Sequence, residues 1–294
     1  SVLKPYGVWG VIAPFNFPVA LSGGPTAAAI LAGNTVVLKP AEDTPFSPTL
    51  LVQCFHAAGI PAGVVNMVTG QKETGRALVD HPGVDGFTFT GSYRVGMEIY
   101  AKVAHGPRPR PVITEMGGKN PAIVGKSADL DMAAQGVARA AFGLTGQKCS
   151  ACSRVYVHEE VKAAFLEKLV DQAKAVQAGD PTHSDFWMGP VINRRAYENY
   201  QNYAIELSSK GRILTGGKTL DAGGYYVAPT VVTDLPEDHY LWKQEMFLPI
   251  VAVAGFDDFA DAVRRANDVD FGLTAGCYTR ERGEAQHFLD NIQA

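Results

Sequence analysis

Short apolar runs separated by helix-patterned segments constrain this chain more than any other feature. Val8 to Ile12, Thr35 to Leu38, Val64 to Val68, Phe87 to Thr90 and Pro111 to Glu115 read as strands. Between them Pro25 to Leu31, Ser47 to Gly59, Thr74 to Asp80 and Ser92 to Val103 read as helices. Gly33-Asn34 closes the first helix, and Ser47-Pro48 opens the second as N-cap and first-turn proline. Strands this short and apolar are buried on both faces, and the helices supply the crossovers that parallel pairing needs. The fold class expected is α/β, a doubly wound, Rossmann-like parallel sheet whose ligands lie beyond the carboxyl ends of its strands.

After Gly117-Gly118 the alternation restarts. Asn120 to Val124, Val155 to Val157, Tyr225 to Val232, Ile250 to Ala254 and Leu273 to Tyr278 read as strands. Asp131 to Phe142, Val161 to Ala178, Arg194 to Ser208, Phe259 to Ala266 and Glu284 to Ile292 read as helices. A second α/β domain is expected, so the boundaries are 1–116 and 117–294, and 294 residues suit two domains. The missing initiator Met, the apolar strand pattern entered directly from Ser1 and the uncapped last helix read as the ends of a fragment.

Composition narrows the class of function. A net charge of −4 gives no basic footprint for nucleic acid. No apolar stretch reaches the roughly 18 residues that a membrane span requires. Cys54, Cys149, Cys152 and Cys277 are too scattered for a disulfide framework, which suits a reducing, cytoplasmic setting.

Polar or glycine residues gather where the first-half strands end: Asn16, Lys39 with Glu42, Gly70, Gly91-Ser92 and Glu115. One such residue is ordinary; a succession suggests a ligand-binding edge. The usual G-x-G-x-x-G fingerprint is missing. Its substitute is TGSYRVG (Thr90 to Gly96), a glycine turn starting a helix whose amides could hold a phosphate; the plainer reading is an N-cap by Ser92. Lys39 and Glu42 offer one donor and one acceptor to ribose hydroxyls. A carboxylate there repels a 2′-phosphate, so NAD is preferred to NADP; the alternative is a solvated ion pair.

Gly146 to Arg154 reads GQKCSACSR, a tight turn before an apolar strand. A cysteine in such a turn can be an inert buried residue, one of a redox pair, half of a metal site or a nucleophile. A second cysteine pair is absent and His158 is the only nearby imidazole, which disfavours metal.

Five motifs together resemble the aldehyde dehydrogenase superfamily: APFNFP (Ala13 to Pro18), LKPAE (Leu38 to Glu42), FTGS (Phe89 to Ser92), TEMGGKNP (Thr114 to Pro121) and GQKCS. The stretch GQKCSACSR is most similar to the 1-pyrroline-5-carboxylate (L-glutamate 5-semialdehyde) dehydrogenase branch. The resemblance implies a catalytic second domain in which the Cys149 thiolate attacks an aldehyde. It implies that the Asn16 side chain and the Cys149 N–H hold the oxyanion, and that Glu115 is the base that hydrolyses the thioester. It places Glu245 and Phe247 at the nicotinamide ribose and Ser150 near the substrate, gives Lys119 only a part in shaping the glutamate loop, and implies a homo-oligomer. The segment Glu245-Met246-Phe247-Leu248-Pro249 departs from the family pattern, with Leu where Gly is usual, so a positive φ at 248 is harder to reach. The substrate expected is L-glutamate 5-semialdehyde. The alternatives are another semialdehyde or aliphatic aldehyde, and a catalytically silent nucleotide-binding protein on the same scaffold.

Overall fold

The period-two alternation of the first strand explains how the first half is layered. In the computed structural model, which describes residues 4–293, β1 (Val8–Ile12) sends Val8 and Ile12 to one face and Trp9 and Val11 to the other. The first face packs on α3 (Lys72–Asp80) and α4 (Tyr93–Ala104) through Leu78, Val79, Ile99 and Val103. The second packs on α1 (Ala20–Leu31) and α2 (Phe46–Ala57) through Ala29, Ile30, Val52 and Phe55. With β2 (Thr35–Lys39), β3 (Val65–Met67), β4 (Gly86–Gly91) and β5 (Val112–Met116), the sheet runs β3-β2-β1-β4-β5, all parallel. The order reverses at β1, so the crevice expected of a doubly wound sheet opens where β1 and β4 end. The α/β class read from the sequence is the fold observed.

Local departures have local causes. α1 starts at Ala20 and carries Pro25 within it, because Gly23-Gly24-Pro25 hides the start of the helical pattern. α2 starts at Phe46 after Pro45, with no side-chain cap; Ser47 lies inside the first turn rather than capping it.

Residues 117–294 form a second unit distinct from 1–116. Its strands are β6 (Asn120–Val124), β7 (Cys152–His158), β8 (Arg212–Thr215), β9 (Thr230–Thr233), β10 (Ile250–Phe256) and β11 (Gly276–Tyr278). They are ordered β11-β6-β7-β10-β9-β8, parallel except for β8 at one edge. One face packs α5 (Leu130–Phe142) and α6 (Glu159–Ala175) against Val124, Val155, Val157 and Val253. The other packs α7 (Arg194–Lys210), α8 (Phe259–Asn267) and α9 (Arg282–Asn291) against Ile123, Tyr156, Val232 and Ala252. β8 was not legible in advance, and the strand expected from Tyr225 begins only at Thr230, after Pro229; Val227 makes an isolated bridge to Thr219. The pattern expected at Ser1 lies outside the described residues. Among those described, no helix is long and apolar enough to cross a membrane.

Candidate active site

The carboxyl edge of the first sheet carries seven of the expected site residues. Asn16, half-buried, lies in the turn after β1, which is tied to β2 by the Ala13 amide donating to the Lys39 carbonyl at 3.0 Å. Lys39 is the last residue of β2 and is buried, with Nζ 3.6 Å from the carboxylate of the exposed Glu42. Three residues of separation across a bend bring the two together, and the buried lysine distinguishes the pair from a wholly solvated one. Ser92 occupies the N-cap position of α4 but makes no capping bond through its side chain, and the first turn contains no acidic residue. A 12-residue helix whose N-cap side chain makes no capping bond fits a phosphate group at its start. The glycine at 91 has a packing reason as well, since a Cβ there would stand 2.5 Å from the Phe89 ring. Gly70 has φ +147° beside the Thr74 hydroxyl, so glycine is required there by the backbone alone. Glu115 is exposed near the end of the edge strand β5, in register with Thr90.

Cys149, Ser150, Glu245 and Phe247 belong to the second unit. α5 ends in a 3-10 turn, Gly143–Gly146, in which Leu144 and Thr145 take φ of 53° and 58°. Left-handed backbone costs a non-glycine residue about 1–2 kcal/mol. It is held here by Thr145 Oγ1 donating to the Gly189 carbonyl at 3.0 Å and by Gln147, whose side chain accepts from Ile192 N–H at 2.9 Å. The following turn is closed by the Ala151 amide donating to the Lys148 carbonyl at 3.0 Å. It presents Cys149 half-buried and Ser150 exposed. Burial holds the half-buried Lys148 ammonium below its ordinary range, an effect that negative charge on the neighbouring Cys149 sulfur opposes.

The other cysteines sit in different settings. Cys152 is the first residue of β7, and burial pushes its thiol up to about 12. Burial pushes Cys277 up to about 11, with the Glu284 charge adding to it. Cys54 is exposed on α2. Among the described residues no group of three or more His, Cys, Asp or Glu is placed to hold a metal ion. His158 instead caps α6, its Nδ1 accepting from the Glu160 amide.

Glu245 accepts from the Gly118 amide at 3.0 Å. Gly117, at φ +48°, leaves room for it, since a Cβ would lie 2.7 Å from its carboxylate. Burial raises the Glu245 carboxyl, while the Gly118 amide and the Lys119 charge pull it back. The turn after it corrects the expectation for Leu248. The positive φ, 58°, falls on Phe247, and Leu248 is a buried core residue beside Trp242 and Ile250. A glycine at 248 is therefore not needed for this backbone.

Sequence reasoning missed two buried polar residues that brace this region. Arg154 is 1% exposed and donates to the carbonyls of Lys119 (2.7 Å), Arg265 (3.1 Å) and Ala266 (2.6 Å), so it also serves the C-terminal carbonyls of α8. Asn120, 3% exposed, donates to the carbonyls of Cys149 (2.7 Å) and Ala151 (2.9 Å). A charge inside SRVYV and an asparagine opening NPAIV were the available signals, because a polar side chain in a fully buried strand must find partners. Lys119, which precedes Asn120, is fully enclosed, and burial and the Arg154 charge lower its amine to about 7.

The model of the aldehyde dehydrogenase family matches residues 1–294. The chain is 43% identical over 289 residues to 1-pyrroline-5-carboxylate dehydrogenase 1 of Halalkalibacterium halodurans, covering 96% of this chain and 56% of that protein. It is 41% identical over 297 residues to the alpha-ketoglutaric semialdehyde dehydrogenase of Bacillus subtilis, covering 99% and 60%. Among solved structures, 1-pyrroline-5-carboxylate dehydrogenase from Thermus with bound NAD superposes with a TM-score of 0.94 at 37% identity, covering 98% of this chain and 56% of that one. The chain thus spans a little over half the length of these relatives.

Proposed function

The chain belongs to the aldehyde dehydrogenase family, and on that premise we propose that it carries the nucleophile, base and oxyanion donor of an NAD-dependent aldehyde oxidation. The observation that carries the reading is the Cys149 turn. It sits half-buried after a strained, tightly bonded segment, while burial keeps the thiols of Cys152 and Cys277 protonated.

In this reading the Cys149 thiolate attacks the aldehyde carbon, and the oxyanion that develops is held by the Asn16 carboxamide and the Cys149 N–H. Lys39 and Glu42 would hold the adenosine ribose, the Ser92 turn and the start of α4 the phosphates, and Glu245 and Phe247 the nicotinamide ribose. The nicotinamide would supply the hydride acceptor, and loss of hydride from the Cys149 adduct would leave an acyl group on sulfur. Glu115 then takes a proton from the water that cleaves the thioester, and its exposure gives it access to that water. An acid product follows. The exposed Glu42 carboxylate disfavours a 2′-phosphate, so NAD is the cofactor assigned rather than NADP.

For substrate we assign a semialdehyde bearing a carboxylate, with L-glutamate 5-semialdehyde first. The second relative, named for alpha-ketoglutaric semialdehyde, matches nearly as well, so a related ω-semialdehyde is the second reading. Ser150, exposed beside the nucleophile, is assigned to the substrate end, and the whole protein to a cytoplasmic homo-oligomer. The test is NADH formation with a panel of aldehydes. Cys149→Ala abolishes it while NAD still binds; turnover retained in that variant removes Cys149 from the mechanism.

A further inference from the structure

We propose that Asn120 is the positioning residue of the nucleophile turn: one buried carboxamide fixes the backbone on the C-terminal side of Cys149 and ties it to the segment before β11. This rests on the assignment of Cys149 as nucleophile. Asn120 is the first residue of β6, and its side chain bonds to two other stretches of the second unit. Nδ2 donates to the Cys149 and Ala151 carbonyls at 2.7 and 2.9 Å, and Oδ1 accepts from the Thr274 amide at 3.1 Å. Both amide protons are used, on carbonyls two residues apart.

The consequence follows from peptide geometry. The Lys148–Cys149 plane is held by the Ala151 amide on the Lys148 carbonyl, and the Cys149–Ser150 plane by Asn120 on the Cys149 carbonyl. Fixing the planes on both sides of one Cα fixes its φ and ψ, and therefore the direction of its Cα–Cβ bond, from which χ1 places the sulfur in one of a few staggered positions. In a trans peptide the N–H lies opposite the carbonyl, so the bond that holds the Lys148 carbonyl inside the turn directs the Cys149 N–H away from it. Asn120 thus completes the frame that sets where the Cys149 side chain leaves the backbone. The segment leading to it fits closely as well: a Cβ on Gly118 would overlap the Cys149 carbonyl oxygen. Neither Pro121 nor the apolar remainder of β6 could supply these donors.

Two variants of the protein test the assignment. Asn120→Leu keeps the approximate size and removes every donor; Asn120→Asp keeps the shape and the acceptor for Thr274 but removes the amide protons. Misplacement by about 1 Å can cost on the order of 100-fold in rate, so kcat with the best aldehyde is expected to fall by about that factor in both, with KM for aldehyde and for NAD changing far less. Site-resolved iodoacetamide labelling of the peptide containing Cys149 gives a readout independent of turnover, and its rate constant should change in parallel with kcat. Asp258→Ala is the structural control, since it removes the cap of α8, where Asp258 accepts from the Ala260 and Asp261 amides. Its lower melting temperature should leave kcat and labelling as in the parent. Parental kcat and labelling in both Asn120 variants would overturn the proposal, as would an equal loss of both in Asp258→Ala. If the parent oxidises no aldehyde, the functional reading fails, and the labelling rates still decide the role of Asn120.

Discussion

Replacing Leu248 with glycine separates two accounts of the segment 245–249. If a glycine were needed there for backbone reasons, the substitution would relieve strain. The structure gives the opposite sign. Leu248 is 4% exposed in a cluster with Tyr200, Trp242, Met246 and Ile250, and the left-handed residue of the turn is Phe247. Truncating a buried leucine to alanine costs about 2–5 kcal/mol. Glycine adds roughly 0.5–1 kcal/mol of backbone entropy. The total of about 3–6 kcal/mol corresponds to a fall of some 6–24 °C at about 2–4 °C per kcal/mol for a unit of this size. Thermal unfolding followed through the near-ultraviolet signal of Trp242, which stacks on Tyr156 with ring centroids 5.8 Å apart, reads this directly. Leu248→Ala should show most of the loss. A Leu248→Gly protein as stable as the parent, or more so, would refute the reading of Leu248 as a packed core residue at a position that needs no glycine.

Asp85 makes a pH-dependent contribution to the first unit: the Val8 amide (2.9 Å) and the Arg108 guanidinium (2.7 Å) hold its carboxyl below the ordinary carboxylate value. That stabilisation is complete above the unfolded value near pH 4 and is lost as pH falls through the lower folded value, so acid titration of Asp85→Asn should lack this component of the parent's stability loss. Lys119 has the same sign in a higher pH window and for a different cause, burial that penalises its charged form. Its folded value of about 7 lies well below the unfolded one, so stability should rise with pH between about 7 and 10, and Lys119→Met should flatten that rise in denaturant titrations. Gly146→Ala should abolish soluble expression or lower the melting temperature sharply, because φ is +67° and a Cβ would stand 2.7 Å from the Pro249 nitrogen; a parental melting curve would contradict this.

Strand–helix alternation was legible because each crossover helix and each buried strand carries its own periodicity; β6 was read with its observed ends. β8 was not, since Arg212–Thr215 is four residues between glycines and owes its existence to antiparallel pairing with β9. The start of α2 was misplaced because Ser47-Pro48 has the composition of an N-cap, whereas proline at 45 already sets the turn. At the candidate site, residue identity pointed to Cys149, Glu115 and Asn16 through motif. The bracing by Asn120 and Arg154 required knowing which carbonyls fall within reach of a buried donor, and only the tertiary structure supplies that.

Where Gly146 lies directly against the main chain at Leu248 and Pro249, with no side chain to cushion the approach, two loops lose their independence. The stretch bearing Glu245 and the stretch bearing Cys149 therefore meet main chain to main chain, and no side chain larger than hydrogen fits at the crossing.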